Sequence, residues 1–169
     1  LYAAQTLDAR ELWQGAPADE DGYKLWLRYA PPGAIASQYR QAIRQVVVQG
    51  TSPTAAIIRR ELNDALASML GAAVPASTSA IAANALVVGT PESSPAIRSL
   101  GWTSELTAAG REGFVIRRAT MSGRRVIAIA SSGEIGALYG TFHFLRLLQT
   151  AQPIDRLDVT QRPKVTLRM

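Results

Sequence analysis

A long apolar segment in the last third of the chain sets the first limit on the fold. Residues 131–134 (Ser-Ser-Gly-Glu) have the order of a capping box, which predicts a helix over about Glu134–Gln149. Apolar residues would surround most of this helix, at Ile135, Leu138, Tyr139, Phe142, Leu145, Leu147 and Leu148. A surface helix needs only one apolar stripe, so we expect this one to pack on a sheet with one side and on something else with the other.

Three other segments predict the sheet. Residues 85–88 form a continuous apolar run that ends at Gly89, which is typical of a strand buried on both faces in the middle of a sheet. Residues 114–119 and 125–130 are rich in β-forming residues. The short segment between them contains Ser122-Gly123, which predicts an antiparallel hairpin.

Two more helices have clear start and stop signals. Ser52 followed by Pro53 predicts the start of a helix that ends at Gly71. Its inner stripe would consist of Ile58, Leu62, Ala65, Leu66 and Met69. Ser94-Pro95 predicts a shorter helix over residues 96–100, closed by Gly101.

The remaining segments give weaker signals. Residues 23–29 alternate in polarity and predict a half-buried strand. Residues 35–48 have helical spacing, although the β-branched residues 46–48 favour a strand at the end of this segment. Residues 157–159 predict a last short strand, and residues 162–164 (Arg-Pro-Lys) are typical of an exit linker.

Charge and composition exclude several classes of function. The net charge of +5 is carried by arginines in scattered pairs, such as residues 59–60, 117–118 and 124–125, rather than in a block with interleaved aromatics. We therefore expect no nucleic-acid partner. No apolar run is long enough to cross a bilayer, which predicts no membrane span. The absence of cysteine excludes disulfides and thiolate metal sites.

A catalytic centre is not evident in the sequence. The single histidine, His143, lies within the apolar helix without a carboxylate three or four residues away, so we interpret it as a packed or surface residue. Glycoside hydrolysis needs two carboxylates across the sugar bond. The acidic residues here have polar, turn-like or capping settings, namely residues 19–21, Glu61, Asp64 and Glu134. We predict no catalytic residue in this chain.

The segment 89–94 (Gly-Thr-Pro-Glu-Ser-Ser) follows a predicted buried strand and opens a helix, a position where backbone amides can bind an anion. It lacks the glycine spacing and the lysine of a phosphate loop, and Glu92 would repel an anion. We favour a turn with a helix cap. No His, Cys and Asp residues occur at metal-ligand spacing, so we predict no metal and no cofactor.

Four segments carry a resemblance to a known family. They are residues 20–29 (EDGYKLWLRY), 89–97 (GTPESSPAI), 112–117 (EGFVIR) and 136–150 (GALYGTFHFLRLLQT). Together and in this order they resemble the N-terminal domain of α-glucuronidases of glycoside hydrolase family 67. The resemblance covers residues 19–169.

This resemblance implies a two-layer α/β sandwich, with helices packed on a mixed β-sheet. It implies a parent enzyme that releases 4-O-methyl-glucuronic acid from glucuronoxylan fragments, using carboxylates on a (β/α)8 barrel elsewhere in the same polypeptide. The barrel would then be the partner of this domain. The implied organisation is an arm over residues 1–18, a non-catalytic domain over 19–160 and a linker over 161–169. We expect a periplasmic or extracellular location, with the cytoplasm as an alternative, and a parent that could form a homodimer.

One rival interpretation is a module that binds xylan through exposed aromatic residues, for which Trp13, Trp26 and Trp102 are the candidates. A second expectation follows from the apolar helix. Separated from the surface that it packs on, the domain would expose an apolar patch and self-associate.

Overall fold

The computed structural model of the chain describes residues 29–163. A 3-10 turn over Gly33–Ile35 precedes five α-helices, which are α1 (Ala36–Ala42), α2 (Pro53–Leu70), α3 (Pro95–Arg98), α4 (Thr103–Ala109) and α5 (Glu134–Gln149). The six strands are β1 (Gln45–Val48), β2 (Ala76–Ser77), β3 (Ala85–Gly89), β4 (Phe114–Met121), β5 (Arg124–Ala130) and β6 (Asp158–Gln161). The predicted arm, most of the predicted strand 23–29 and most of the linker lie outside the described residues.

The strands form one mixed sheet in the order β2-β1-β3-β5-β4-β6. Strands β2, β1, β3 and β5 pair in parallel, whereas β4 is antiparallel to β5 and β6. Strand β3 lies inside the sheet and all five of its residues are buried, as its unbroken apolar run predicts. The predicted hairpin is confirmed by β4 and β5, which are joined at Ser122 and Gly123, both with positive φ.

Helices pack on both faces of the sheet. Alternate strand residues such as Val46, Leu86 and Ile127 face a core that is covered by α1, α2 and α5. The intervening residues face a second core, which is covered by the short helices α3 and α4 through Ile97 and Leu106. The predicted class, an α/β fold with a mixed sheet and packed helices, is confirmed. Helices α3 and α4 on the second face add a third layer to the two layers that the resemblance implied.

Helix α2 forms where its sequence signals predict. The Ser52 Oγ accepts a hydrogen bond from the Ala55 N–H at 3.1 Å, and Pro53 occupies the first turn. Gly71 ends the helix with φ of 73°, a left-handed conformation that disfavours residues with a Cβ. All five residues of the predicted inner stripe are buried. Local propensity and tertiary packing therefore agree in this helix.

Helix α5 has the predicted bounds, but the predicted capping box is wrong. Its N-cap is Gly133, which has no side chain to accept a hydrogen bond. The Ser131 Oγ instead donates to the Gly113 carbonyl at 2.6 Å and accepts from the Gly133 N–H at 3.2 Å. Ser131 directly follows β5. Its hydroxyl therefore joins the start of the β5–α5 loop to the segment before β4, rather than capping the helix.

The helical spacing of residues 35–48 holds for the first half of the segment, and the strand that the β-branched residues 46–48 favour at its end is confirmed. Only Ala36–Ala42 is α-helical, and residues 46–48 belong to β1 and are almost fully buried. Three consecutive valines fit a strand that is covered on both faces better than a helix, where β-branched side chains lose freedom. Sequence patterns also missed α4 and the two-residue strand β2.

None of the helices within residues 29–163 is long and apolar enough to cross a membrane.

Candidate functional site

Three strand-to-helix loops meet at one edge of the sheet. The parallel strands β1, β3 and β5 end there and lead into α2, α3 and α5. Helix α2 packs on one face of the sheet and α3 on the other, so the chain departs in opposite directions after the neighbouring strands β1 and β3. Such a reversal opens a crevice at the carboxyl ends of the strands, which is the usual ligand position in sheets of this type.

This crevice is an open cleft of about 750 Å³, which we call the carboxyl-end cleft. Most of the residues that line it have polar side chains; they are Gly50, Thr51, Ser52, Thr54, Thr90, Glu92, Ser93, Arg111, Glu112, Ser132, Gly133, Glu134 and Ile135. Six of these residues carry hydroxyl groups, three are glutamates and one is an arginine. Ile135 is the one large apolar side chain among them.

Glycines allow the backbone to pack closely around the cleft. A Cβ on Gly136 would lie 2.2 Å from the Ser131 Oγ and 2.3 Å from the Gly113 carbonyl oxygen. A Cβ on Gly133 would lie 2.5 Å from the Arg111 carbonyl oxygen. The first turn of α5 is therefore held against the backbone of residues 111–113 at a distance that other residues do not permit.

Hydroxyl groups fix the loop between β3 and α3. The Thr90 N–H donates to the Ser93 Oγ at 3.3 Å, and the Ser93 N–H donates to the Thr90 Oγ1 at 3.1 Å. The Ser94 Oγ accepts from the Ile97 N–H at 3.2 Å and donates to the Gln49 Oε1 at 2.5 Å. The predicted turn with a helix cap is confirmed for residues 89–94, and Ser94 also links this loop to the end of β1.

The electrostatics of the carboxyl-end cleft combine two opposing features. The first turns of α2 and α5 direct backbone N–H groups toward the cleft, and Gly133 supplies no side-chain cap. Glu92, Glu112, Glu134 and Arg111 belong to the lining itself. Two further cations lie at its loops, since Arg59 donates to the Gly50 carbonyl and Arg98 to the Pro91 carbonyl. The cleft therefore combines hydrogen-bond donors and acceptors with charges of both signs.

His143 lies away from this cleft, on the side of α5 that faces β4. Its Nδ1 is 3.0 Å from the Arg146 Nη2, and its ring centroid is 5.3 Å from that of Phe114. Burial, and then the nearby Arg146 charge, lower the pKa of His143 below its usual range. These contacts supply no carboxylate to orient the ring, which agrees with a packed histidine.

Glu61 and Asp64, two of the carboxylates that the sequence singled out, lie three residues apart on α2, whereas Glu134 begins α5. Glu61 accepts a hydrogen bond from the Tyr29 hydroxyl at 3.3 Å, and burial followed by the Glu61 charge raises the pKa of Tyr29. Asp64 is exposed on α2, Glu134 begins α5, and residues 19–21 lie outside the described part of the chain. Within residues 29–163 no group of three His, Cys, Asp or Glu side chains could hold a metal ion. The expected absence of catalytic residues and cofactors stays a prediction.

Trp102 is the one candidate tryptophan within the described residues. It is half-buried, and the Arg117 guanidinium carbon lies 5.6 Å from its ring centroid. Arg117 is in turn held by Asp158 at 2.5 Å and by Glu105 at 3.4 Å. One face of the Trp102 ring is thus occupied by a cation, which leaves less ring surface for stacking a sugar.

A second polar groove lies at the opposite edge of the sheet, where β3 and β5 begin. This amino-end groove has a volume of about 670 Å³ and is lined by Gln38, Gln41, Ala42, Asn84, Arg118, Ala119, Thr120, Arg125, Ile154 and Asp155. Amides and guanidinium groups predominate among its polar side chains, beside one hydroxyl group and one carboxylate.

Sequence reasoning identified one of the three loops of the carboxyl-end cleft, residues 89–94. It missed the loops at residues 50–52 (Gly-Thr-Ser) and 131–133 (Ser-Ser-Gly) as parts of the same site. The signal that could have joined them is their shared composition. Each is a short glycine- and hydroxyl-rich segment that directly follows an apolar strand and precedes a helix.

Comparisons with known proteins give one family and one solved structure of interest. The sequence profile of the family described as "Glycosyl hydrolase family 67 N-terminus" matches residues 25–144. A solved structure titled "A novel family GH115 4-O-Methyl-alpha-glucuronidase, BtGH115A, with specificity for decorated arabinogalactans" is similar at 21% identity and a TM-score of 0.49. The alignment covers 63% of this chain and 13% of that one, a similarity too low to carry an argument. No curated protein matches the chain.

Proposed function

Because the chain belongs to the family of glycosyl hydrolase family 67 N-terminal domains, we propose that it supports the catalytic barrel of an α-glucuronidase. The parent enzyme would hydrolyse the α-1,2 bond between 4-O-methyl-glucuronic acid and xylooligosaccharides. The barrel, in the same polypeptide, would supply the catalytic carboxylates. The domain itself would be inactive, and the parent would act outside the cytoplasm.

The family match carries this proposal, since it spans more than two thirds of the chain and includes every strand except β6.

The outer side of α5 is the surface that we propose to contact the barrel. Ile135 is 45% exposed there, and Leu138, Tyr139 and Phe142 are half-buried. A groove of about 340 Å³ beside them is lined by Phe114, Tyr139, Phe142, His143, Arg146 and Gln161. The described chain leaves the sheet just after Gln161, so the polypeptide that follows β6 starts next to this groove. The exposed apolar side chains and the direction of the chain after β6 both favour the outer side of α5 as the contact with the barrel.

The first experiment compares the release of glucuronic acid from aldouronic acids by this chain and by a version extended through the barrel. We expect activity from the extended protein alone. Turnover by the chain itself would mean that it holds a catalytic pair, and the supporting role would be wrong. Activity of neither protein on aldouronic acids would contradict the proposed substrate.

The proposed contact can be tested by measuring Phe142→Ala in the chain and in the extended protein. Removal of a contact with the barrel should cost at least about 1 kcal/mol more in the extended protein, because additional apolar area is lost there. Leu100→Ala, on the opposite face of the sheet, is the matched control and should cost the same in both. An equal cost of Phe142→Ala in both proteins would place the contact elsewhere.

A further inference from the structure

We infer that the amino-end groove is a binding site of the domain itself for a small carboxylate that also carries hydroxyl groups, such as a sugar acid. This inference goes beyond the proposed supporting role and does not depend on it. It rests on two arginines of the groove that have no carboxylate partner within residues 29–163, and on the side-chain amides that line the groove with them.

The two arginines lie on the same face of the β4–β5 hairpin. Thr120 pairs with Arg125 across the two strands, and Arg118 precedes Thr120 by two residues, so all three side chains project to one face. Diagonal positions of this kind are roughly 7–8 Å apart, which allows two guanidinium groups to contact one carboxylate from either side. The hairpin therefore presents two cations side by side.

The charge of this pair is not neutralised by its surroundings. Neither arginine forms an ion pair within residues 29–163. Asp155 is the one carboxylate of the lining, but its side chain is 73% exposed and pairs with Arg156 at 3.9 Å. Asp158 and Glu105 are held by Arg117, which projects to the other face of β4. The charged residues adjacent to the lining in the chain are all arginines, namely Arg40, Arg117, Arg124 and Arg156. The groove therefore favours an anion.

One arginine of the pair is already oriented. Arg118 is half-buried, and its Nε donates to the Ile154 carbonyl at 3.0 Å, which restricts the guanidinium group. Its two terminal nitrogens have no partner in the described part of the chain. Arg125 is exposed, and its guanidinium group contacts no described residue. A bound carboxylate can thus take the terminal nitrogens of Arg118 and be closed off by Arg125.

The amides of the groove suit hydroxyl groups. Gln38 and Gln41 lie three residues apart on one face of α1, and both are exposed with no side-chain partner among the described residues. The Asn84 Nδ2 donates to the Gln41 carbonyl, which leaves the Asn84 Oδ1 as an acceptor. A side-chain amide offers a donor and an acceptor together, as a sugar hydroxyl does. A phosphate would pair with the arginines but leave these amides unused.

The size of the groove suits a single sugar ring. Its volume of about 670 Å³ falls within the range of roughly 300–1,000 Å³ that is common for small-molecule sites. Ala42 and Ala119 are half-buried and contribute apolar surface without bulk, on which the C–H groups of a ring can pack. Charge, hydrogen bonding and size therefore favour the same class of ligand.

The experiment is a titration of the isotope-labelled chain at neutral pH, followed by amide chemical shifts, with three probes. Glucuronic acid and glucose differ only at C6, and inorganic phosphate is an anion without a hydroxylated ring. We expect saturable shifts at Gln41, Arg118, Thr120 and Arg125 with glucuronic acid, with a dissociation constant on the order of 1 mM. Glucose and phosphate should each bind at least about tenfold more weakly. Equal or tighter binding of glucose would overturn the role of the arginines, and equal or tighter binding of phosphate would overturn the assignment to a hydroxylated carboxylate.

A matched pair of charge variants places the binding. Arg125→Gln removes one cation of the groove and should weaken the binding of glucuronic acid at least about fivefold. Arg124→Gln is the control, because it removes the same charge from an exposed neighbour that projects to the opposite face of β5. It should change the dissociation constant by less than about twofold. Equal weakening by both variants would indicate general attraction to a basic surface and refute the site.

A second variant tests the groove by its volume. Thr120→Trp, at an exposed position beside both arginines, should fill the groove and abolish the saturable shifts. Thermal unfolding confirms that each variant folds. Unchanged binding by Thr120→Trp, or the absence of saturable shifts in the original chain, would refute the site. The supporting role is tested separately, by glucuronic acid release from the extended protein, so the two proposals can fail independently.

Discussion

The two ends of the sheet are built in different ways. Three of the four buried polar side chains within residues 29–163, those of Thr90, Ser94 and Ser131, lie at the carboxyl end, and all three are hydrogen-bonded. The amino-end groove has exposed amides and guanidinium groups, such as those of Gln41 and Arg125. Glutamates and arginines occur together in the first region, whereas arginines dominate the charge of the second.

Chain connectivity explains this difference. At the carboxyl end β1, β3 and β5 each continue within a few residues into a helix, so helix N-termini converge and their N–H groups need nearby acceptors. At the amino end β1 follows the C-terminus of α1, whereas β3 is entered from a loop and β5 from a hairpin turn, so helix N-termini do not converge there. The carboxyl end should therefore be rigid and sensitive to substitution, and the amino end tolerant.

The largest effect is expected for Gly136→Ala at the carboxyl end. Alanine favours a helix over glycine, but its Cβ would lie within 2.3 Å of the Gly113 carbonyl oxygen, and backbone atoms cannot move aside easily. We expect the free energy of unfolding to fall by at least about 2 kcal/mol, measured by urea denaturation.

Gly123→Ala, in the hairpin turn at the amino end, is the matched glycine control. The space around Gly123 is open and its φ is 75°, so only backbone strain of about 1 kcal/mol is expected. An equal loss for both glycines would mean that the carboxyl end relaxes as readily as the turn, which would remove the proposed difference in rigidity.

A smaller loss is expected for Ser131→Ala. The substitution leaves the Gly113 carbonyl and the Gly133 N–H without their hydroxyl partner in a buried position, which should cost roughly 1–3 kcal/mol. Ser132→Ala is the control at the neighbouring residue, which is half-buried and lines the cleft, and should change stability by less than about 0.5 kcal/mol. Similar values for the two serines would show that the buried hydroxyl is not a structural link.

Asn84 is a strained position at the amino end, with a φ of 61°. Its side-chain N–H donates to the Gln41 carbonyl at 3.0 Å, its backbone N–H donates to the Arg125 carbonyl in β5, and its carbonyl accepts from the Arg44 N–H just before β1. Asn84→Ala should cost about 1 kcal/mol, because alanine tolerates the left-handed conformation less well. Asn84→Gly should restore most of this loss. A larger loss with glycine than with alanine would assign the effect to the side-chain hydrogen bond rather than to backbone strain.

Much of the fold was predictable, because strong local signals coincide with burial. The unbroken apolar run of β3, the cap and stop signals of α2 and the alternation around Ser122-Gly123 each specify one element and one position. The errors arose where tertiary contacts overruled local patterns. Ser131 bonds to Gly113, a residue eighteen positions away, and no local rule could show that it would not cap α5.

The carboxyl-end cleft was mostly beyond sequence reasoning. Its three loops are separated by about forty residues each, and they meet because β1, β3 and β5 are neighbours in the sheet. Strand order depends on non-local pairing, which hydrophobic periodicity does not encode. Of the three loops, the sequence indicated only residues 89–94 as a candidate binding site, and the interpretation of that loop as a turn with a helix cap is confirmed.

The smallest effect is expected at the amino end, where Arg125 and Arg118 line the same groove. Arg125 is exposed and makes no ion pair with any described residue, so Arg125→Ala should change the free energy of unfolding by less than about 0.5 kcal/mol. Arg118 is half-buried and its Nε donates to the Ile154 carbonyl at 3.0 Å, so Arg118→Ala should cost about 1 kcal/mol. A loss with Arg125→Ala as large as that with Ser131→Ala would mean that the amino end is as tightly coupled as the carboxyl end. The difference between the two ends would then have to be explained by charge alone.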